Sequence, residues 1–208
     1  GGVNNRLLDC SDAHSFAESA DKDRLGNCFT WIKADPTFEG LCQVVNEPYE
    51  RCFIGEMPPK IAFVQKNKTR YIKAIRLERK QLAAITETWF DNTIPLNWDL
   101  VAIIGNKGKG KSALTDTIGL LSNTKQYGDF TFLSDKNFRN PKDNKAKHFQ
   151  ATVTWESGAA VTKGLDEEVD GSQPELVKYI PQNFLEKICT QIGKIEESDF
   201  DRELKKVI

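Results

Sequence analysis

The pattern of apolar and polar positions changes most sharply in the middle of the chain. Five apolar residues at 100–104 are followed by a polar, glycine-rich stretch at 105–112 and by a helix-like segment at 113–121. A short apolar run bounded by turn residues is typical of a buried strand, and the spacing after residue 113 favours a helix. The pattern therefore predicts a buried strand, a tight turn and a helix in direct succession.

Other segments carry strand patterns on both sides of this unit. Residues 71–77 alternate in part, residues 148–155 alternate throughout, and a strand pattern near 88–96 contains Pro95, which indicates a sheet edge or a strand end. Shorter strands are predicted at 61–64, 129–133 and 178–182. Because such a sheet must be covered by helices, we expect an α/β fold with a mixed sheet and an antiparallel β subdomain.

Two further helices are predicted outside the central unit. Thr37 begins a short helix that turns Leu41, Val44 and Val45 inward and ends at Glu47-Pro48. Asn183 caps a second helix, whose apolar positions are Phe184, Ile188, Ile192 and Ile195.

A polar, proline-bearing stretch from about residue 55 to 69 interrupts these patterns. It contains Met57-Pro58-Pro59-Lys60 and a run of lysine, asparagine and glutamine residues. Such composition is typical of a domain boundary, here bridged by the short strand at 61–64. The expected division is therefore 1–55, a join at 56–69, and 70–208.

Composition narrows the class of protein. The 208 residues are 39% hydrophobic and 28% charged with a net charge of −1, as expected for a soluble globular chain. Global electrostatics therefore predict neither nucleic-acid nor membrane binding, although a local basic face stays open. No apolar run reaches the length of a membrane span, and the start of the chain lacks an export signal.

The cysteine pattern points to a reducing compartment. The five cysteines are an odd number and form no C-x-x-C pair. That argues against a disulfide scaffold and a zinc ribbon, and favours reduced thiols in a cytoplasmic protein.

The glycine-rich turn matches the phosphate-loop pattern G-x-x-x-x-G-K-[ST] at Gly105 to Ser112. Glycines allow successive main-chain N–H groups to surround phosphate oxygens, and the following helix adds its positive end. Lys111 would reach the outer phosphates, and the Ser112 hydroxyl would bind Mg²⁺. The side chains of Lys107 and Lys109 are expected to be solvated. The residues predicted to surround the cofactor are Gly105, Asn106, Lys107, Gly108, Lys109, Gly110, Lys111, Ser112 and Ala113.

Asp12 and His14 form a second candidate site near the start of the chain. They alternate on an extended segment, so both side chains can point to one side and bind a divalent metal. From the residues alone, a solvated or hydrogen-bonded pair is the favoured interpretation, because Asp-x-His is a common pattern.

Two motifs of the second half resemble those of a known ATPase class. The loop fits the tighter form G-x-x-G-x-G-K-S, which resembles the heads of ABC and SMC-like ATPases. Tyr179-Ile180-Pro181-Gln182 looks like their Q-loop, in which a glutamine reaches Mg²⁺ and the attacking water. The resemblance implies that Lys111 and Gln182 are catalytic and that Ser112 and Gln182 bind Mg²⁺.

The first third resembles the end of a PHP-type metallophosphoesterase domain. Ser11-Asp12-Ala13-His14 looks like the last metal-binding motif of that family, which implies Zn²⁺ or Mn²⁺ at Asp12 and His14. The order of this motif, the segment 29–40 and the ATPase loop is similar to TrlF-type proteins. The resemblance implies a PHP tail at 1–55 joined to the N-terminal lobe of an SMC/ABC-like head at 70–208.

The chain lacks several motifs of the PHP-type phosphoesterases and of the ABC/SMC-like ATPases. It has no early His-x-His, no Leu-Ser-Gly-Gly stretch and no run of four apolar residues before Asp-Glu. Asp166-Glu167-Glu168 does not qualify, because Thr162-Lys163-Gly164 precedes it. We therefore expect the middle of a larger protein, which binds ATP and hydrolyses it poorly by itself.

Two functions of different classes remain open. The first is an ATPase head that controls an attached phosphoesterase or nuclease acting on DNA or RNA, in bacterial defence or repair. The second is a nucleotide-gated module that dimerises without significant turnover. Both imply ATP and Mg²⁺ as cofactors and a homodimer formed through the heads. A working phosphoesterase within these residues alone is disfavoured, since two ligands do not complete a catalytic metal site.

Overall fold

The computed structural model describes residues 29–81, 85 and 91–181, which form an α/β chain with two antiparallel sheets. The chain divides into two compact units between Lys68 and Thr69. This division falls at the end of the stretch predicted as a join. Within that stretch the strand predicted at 61–64 is wrong, because Pro59–Lys66 is a helix. Two prolines at its start suit a first helical turn, where a missing N–H costs nothing.

The first unit contains a two-stranded sheet and three helices. Strand β1 (Thr30–Ile32) pairs antiparallel with β2 (Cys52–Ile54), and the chain between them forms α1 (Phe38–Asn46) and α2 (Pro48–Arg51). The helix at Pro59–Lys66, called α3, follows.

The predicted start of α1 is confirmed. The Thr37 hydroxyl accepts a hydrogen bond from the Gly40 amide at 3.0 Å, as an N-cap does. Of the three residues expected to point inward, only Val44 is buried, and Leu41 and Val45 are 45% and 56% exposed. The packed stripe instead joins Gly40 to Val44, which lie one turn apart on the same face.

The second unit is built on a four-stranded antiparallel sheet. Its strands are β3 (Ile72–Arg79), β4 (Asn92–Pro95), β5 (Phe149–Trp155) and β6 (Ala160–Gly164), in the order β4-β3-β5-β6. The predictions for β3, β5 and the edge position of Pro95 are confirmed. Every strand pair in the described residues is antiparallel, so the mixed sheet predicted from the sequence is not present there.

Helix α4 (Lys111–Leu121) and the loops around it cover one face of this sheet. Residues along β5 alternate between buried and half-buried, so one face of the strand supplies the core. The predicted helix and its role as a cover are confirmed. The fully or nearly buried core comprises Ile75, Leu77, Leu114, Leu120, Leu121, Phe130, Leu133, Ala146, Phe149, Ala151, Val153, Trp155 and Leu165.

Three predicted strands are absent from the described residues. Residues 100–104 form no strand, and the run is not buried, since Leu100 is 94% and Ile104 91% exposed. Asp129 ends a short 3₁₀ helix (Tyr127–Asp129), and residues 130–133 and 178–181 are irregular. An apolar run indicates that burial of those side chains would be favourable. It does not specify which other strand would form backbone hydrogen bonds with it. No described segment pairs with these three.

The helices are short. The longest described helix, α4, has 11 residues, whereas a helix that crosses a bilayer needs about 20. In the described part of the chain, no helix combines the length and the apolar character required for a membrane span.

Candidate functional site

The glycine-rich turn leads directly into α4, as the sequence predicts. Gly110 is the residue before the helix and has φ of 89°, and Gly108 has φ of 80°. These left-handed conformations favour glycine over residues with a side chain. The backbone at both positions therefore explains why the loop carries glycine there.

Lys111 folds back across this loop instead of extending into solvent. Its ammonium group donates to the carbonyl oxygens of Gly105 at 2.7 Å and Asn106 at 2.9 Å. An ammonium group has three N–H donors, and these two bonds join the helix start to the first two loop residues. The remaining donor and the positive charge lie at the N-terminal end of α4, where an anion is stabilised.

Ser112 lies in the first turn of the same helix. It is exposed, and its hydroxyl has no hydrogen bond to any described residue. The neighbouring Thr115 hydroxyl donates to the Ser112 carbonyl at 3.1 Å, so it does not compete for the Ser112 side chain. A free hydroxyl oxygen beside an anion site is a suitable ligand for Mg²⁺, which prefers oxygen donors. Ser112 therefore offers one oxygen ligand to a Mg²⁺ whose other ligands would come from phosphate and water.

The charge pattern favours an anion at this end of α4. Residues 101–109 are exposed, which confirms the prediction for the side chains of Lys107 and Lys109. Within the described residues, no salt bridge occupies either lysine or Lys111. At the other end of the helix, Lys163 donates to the Leu120 carbonyl at 3.3 Å, where a cation complements the helix dipole.

A cleft of about 490 Å³ opens beside Lys111 and Ser112. One side is α4 and the other is the segment 177–180, with Thr131 between them. The lining residues are Ile103, Lys111, Ser112, Thr115, Ile118, Gly119, Thr131, Val177, Lys178, Tyr179 and Ile180. The first two residues of α4, Lys111 and Ser112, therefore border a concave space and not a flat surface.

The sides of this cleft are joined by a carboxylate that sequence reasoning missed. Asp116 is fully buried in α4, one turn after Ser112. One oxygen accepts hydrogen bonds from the amides of Phe132 at 2.7 Å and Leu133 at 3.2 Å, and the other accepts from the Tyr179 hydroxyl at 2.7 Å. The amides predicted to form a strand ladder at 129–133 are thus bound by a side chain. An aspartate inside an apolar helix, where it lowers helix propensity, is the sequence signal that could have indicated this role.

Tyr179 is held as a neutral donor at this position. Burial raises the pKa of its phenol above the ordinary value, and the neighbouring Asp116 carboxylate raises it further. Its ring also packs edge-on against Phe130, with 5.3 Å between ring centroids. The ring and the hydroxyl therefore bind to different partners.

The segment 175–180 runs along α4 towards the glycine-rich loop. The Leu176 amide donates to the Ser122 carbonyl at 2.9 Å, and three residues later Tyr179 reaches Asp116. Six residues of helix separate those contacts, or about 9 Å along the axis. The direction of the chain brings residues 178–180 to the cleft beside Lys111 and Ser112.

Three predicted site residues lie outside the described residues. Gln182 follows the last described residue, and Asp12 and His14 precede the first. Their predicted roles at Mg²⁺ and at a PHP-type metal site therefore remain predictions. In the ranges that the structure does describe, no group of three or more histidine, cysteine, aspartate or glutamate side chains is arranged to hold a metal ion.

Comparison with known proteins identifies no protein similar to this chain. No protein-family model, no curated protein and no solved structure matches the chain. The candidate site is consequently defined by its own geometry: a glycine-rich loop, a lysine that crosses it, a free serine hydroxyl and the cleft beside them.

Proposed function

We propose that residues 105–113 bind the phosphates of ATP, together with Mg²⁺. The observation that carries the proposal is the contact of Lys111 with the carbonyl oxygens of Gly105 and Asn106, at the start of a helix. That contact brings a cation and the helix N-terminus to one point, and both stabilise a polyphosphate. The fold implied is the phosphate-loop NTPase fold, as the N-terminal lobe of an ABC/SMC-like head.

The proposed roles follow from donor and acceptor chemistry. Main-chain amides of the loop donate to phosphate oxygens, and Lys111 neutralises charge on the outer phosphates. Ser112 provides an oxygen ligand for Mg²⁺, which supplies further charge stabilisation when bound. Gln182 is proposed to address the same ion and the attacking water, on the basis of its resemblance to a Q-loop glutamine.

We further propose that ATP hydrolysis is coupled to a PHP-type phosphoesterase or nuclease activity that acts on nucleic acid in the cytoplasm. This part depends on the resemblance of Ser11-Asp12-Ala13-His14 and of segment 29–40 to TrlF-type proteins. Closure of two heads over two nucleotides would link ATP to the attached domain, as a ligand-biased change between two states.

A second function, nucleotide-gated dimerisation without significant turnover, is favoured by one observation. No aspartate or glutamate is among the described residues that line the cleft. Hydrolysis needs a group that orients or deprotonates water, and a cleft without a carboxylate suits binding better than turnover.

Binding of Mg²⁺-ATP to a Lys111→Ala variant tests the proposal. We expect the wild-type chain to bind a fluorescent ATP analogue, and the variant to lose at least about ten-fold in affinity, because charge-assisted bonds are removed. Lys142→Ala is the matched control: it removes the same charge from an exposed loop outside the cleft. Unchanged binding by Lys111→Ala would overturn the proposal. Steady-state ATPase assays with and without DNA or RNA then separate the two functions.

A further inference from the structure

Asp116 connects three parts of the second unit that meet at the cleft. Its carboxylate belongs to α4, accepts two amides from the segment after Thr131, and accepts the hydroxyl of Tyr179. Thr131 and Tyr179 both line the cleft, as does Ser112 one turn before Asp116. The relative positions of the cleft walls are therefore set at one buried side chain.

Stability alone is a weak reason for this arrangement. Removing a carboxylate from water carries a large cost, and hydrophobic residues of similar volume commonly stabilise a core as well or better. Hydrogen bonds are directional, so those of Asp116 determine where each bonded segment lies relative to α4. The bond to Tyr179 holds the segment 177–180, which lines the cleft together with Ser112.

We propose that Asp116 and Tyr179 are positioning residues for the Mg²⁺ side of the nucleotide site. They hold the segment 177–180 against α4, and this segment lines the cleft together with Ser112. The inference rests on the proposed function, since it concerns the Mg²⁺ that would accompany ATP. Among the described residues, no hydrogen bond links this pair to the loop glycines or to the Lys111 ammonium, so we expect the positioning effect where Mg²⁺ takes part in binding.

Tyr179→Phe is the informative variant, because it removes one hydroxyl and keeps the ring against Phe130. Tyr127→Phe is the matched control. It makes the same change at a residue that is 48% exposed, lies outside the cleft and has no hydrogen bond from its hydroxyl among the described residues. Asp116→Asn is a second variant, which keeps the shape of the side chain but removes its charge and one acceptor oxygen.

The experiment measures the affinity for ATP twice, once with Mg²⁺ and once with EDTA, on the full chain. We expect Mg²⁺ to tighten ATP binding by the wild type and by Tyr127→Phe. In Tyr179→Phe, binding in EDTA stays at the wild-type value and the gain from Mg²⁺ falls by about ten-fold, the size expected for one lost bond to a charged group. Asp116→Asn should reduce the same gain.

The possible outcomes separate the two proposals. If the wild type does not bind ATP in either condition, the proposed function fails and this inference falls with it. If the wild type binds and Tyr179→Phe keeps the full gain from Mg²⁺, only this inference is overturned. Equal weakening of Tyr179→Phe with Mg²⁺ and with EDTA also overturns it, since that result indicates general damage to the unit.

Discussion

The Lys111 ammonium lies 2.7 Å from the carbonyl oxygen of Gly105, six residues earlier in the chain. This contact joins the start of α4 to the start of the loop, so the turn is closed before any ligand binds. A lysine tied to the loop also loses less side-chain freedom on binding an anion than an extended one, which favours affinity. The same geometry makes the loop sensitive to its glycines.

Substitution of Gly108 tests that sensitivity, because a side chain at this position would cause backbone strain but no steric clash. It has φ of 80°, and a Cβ placed there would meet no atom within 4 Å. Gly108→Ala should therefore lower the free energy of unfolding of the second unit by about 1 kcal/mol, the strain of a left-handed residue. Gly108→Asn should cost less, since asparagine tolerates this conformation better.

Chemical unfolding of both variants checks this order. Gly171→Ala is the control, because that glycine also has open space around it but no left-handed backbone. Equal stability of Gly108→Ala and Gly108→Asn would show that the loop backbone is not held in this conformation.

Gly119 should resist substitution for the opposite reason, lack of space. A Cβ at this position of α4 would lie 2.9 Å from the buried ring of Phe130 and 3.2 Å from the Thr124 methyl. Overpacking costs about 1–3 kcal/mol, which exceeds the gain of at most about 1 kcal/mol in helix propensity. Gly119→Ala should therefore destabilise the unit in urea unfolding, by about 1 kcal/mol. Gly128→Ala, at an open position, should change stability by less than about 0.5 kcal/mol.

Glu175 should anchor the segment that leads to the cleft. One carboxylate oxygen accepts from the Thr124 hydroxyl at 2.9 Å and from the Lys125 amide at 3.0 Å. Glu175→Ala leaves the buried Thr124 hydroxyl with a weaker set of partners, and we expect a loss of about 1–2 kcal/mol. Glu168→Ala is the control, since that side chain is 80% exposed and lies 3.8 Å from Arg139. Urea unfolding midpoints of the two variants should differ clearly, and equal midpoints would contradict the anchoring role.

The sequence predicted the glycine-rich turn and the helix after it better than it predicted the sheet around them. Glycine at 108 and 110 and the lysine at 111 are demanded by local backbone geometry and chemistry, and local rules can be read from one segment. Likewise, the alternation of residue types along β5 predicts from one segment alone that one face of the strand is buried. The run at 100–104 was assigned wrongly because a strand depends on a partner elsewhere. The role of Asp116 depends in the same way on distant residues, because its three donors lie 16, 17 and 63 residues away.

The free energy of unfolding should decrease at acidic pH in part because of Glu78. Gln150 donates to one of its oxygens at 2.9 Å and Arg76 to the other at 2.7 Å, and these bonds hold the pKa of the carboxyl below its usual range. A lowered pKa contributes stability above the unfolded value of about 4.3, and that contribution is lost as the pH falls through the folded value.

Gln150→Ala removes the largest cause of that shift. The variant should be less stable than the wild type at pH 7, by about 0.5 kcal/mol at this partly exposed position. The pH-dependent part of the difference should disappear as the pH falls through the lowered pKa of Glu78 in the folded wild type, below which Glu78 is protonated in both proteins. Unfolding free energies from pH 7 to pH 3 measure this, and a difference that grows on acidification would contradict the assigned sign.

The apolar run before the loop gives the last test, since sequence and structure disagree about it. Leu100 and Ile104 are almost fully exposed, whereas Leu120 on α4 is fully buried. Leu100→Ser and Ile104→Ser should each change the unfolding free energy by less than about 0.5 kcal/mol, as surface changes do. Leu120→Ala, the buried comparison, should cost about 2–5 kcal/mol. A loss above about 2 kcal/mol for Leu100→Ser would mean that the run is buried in solution, as the original pattern predicted.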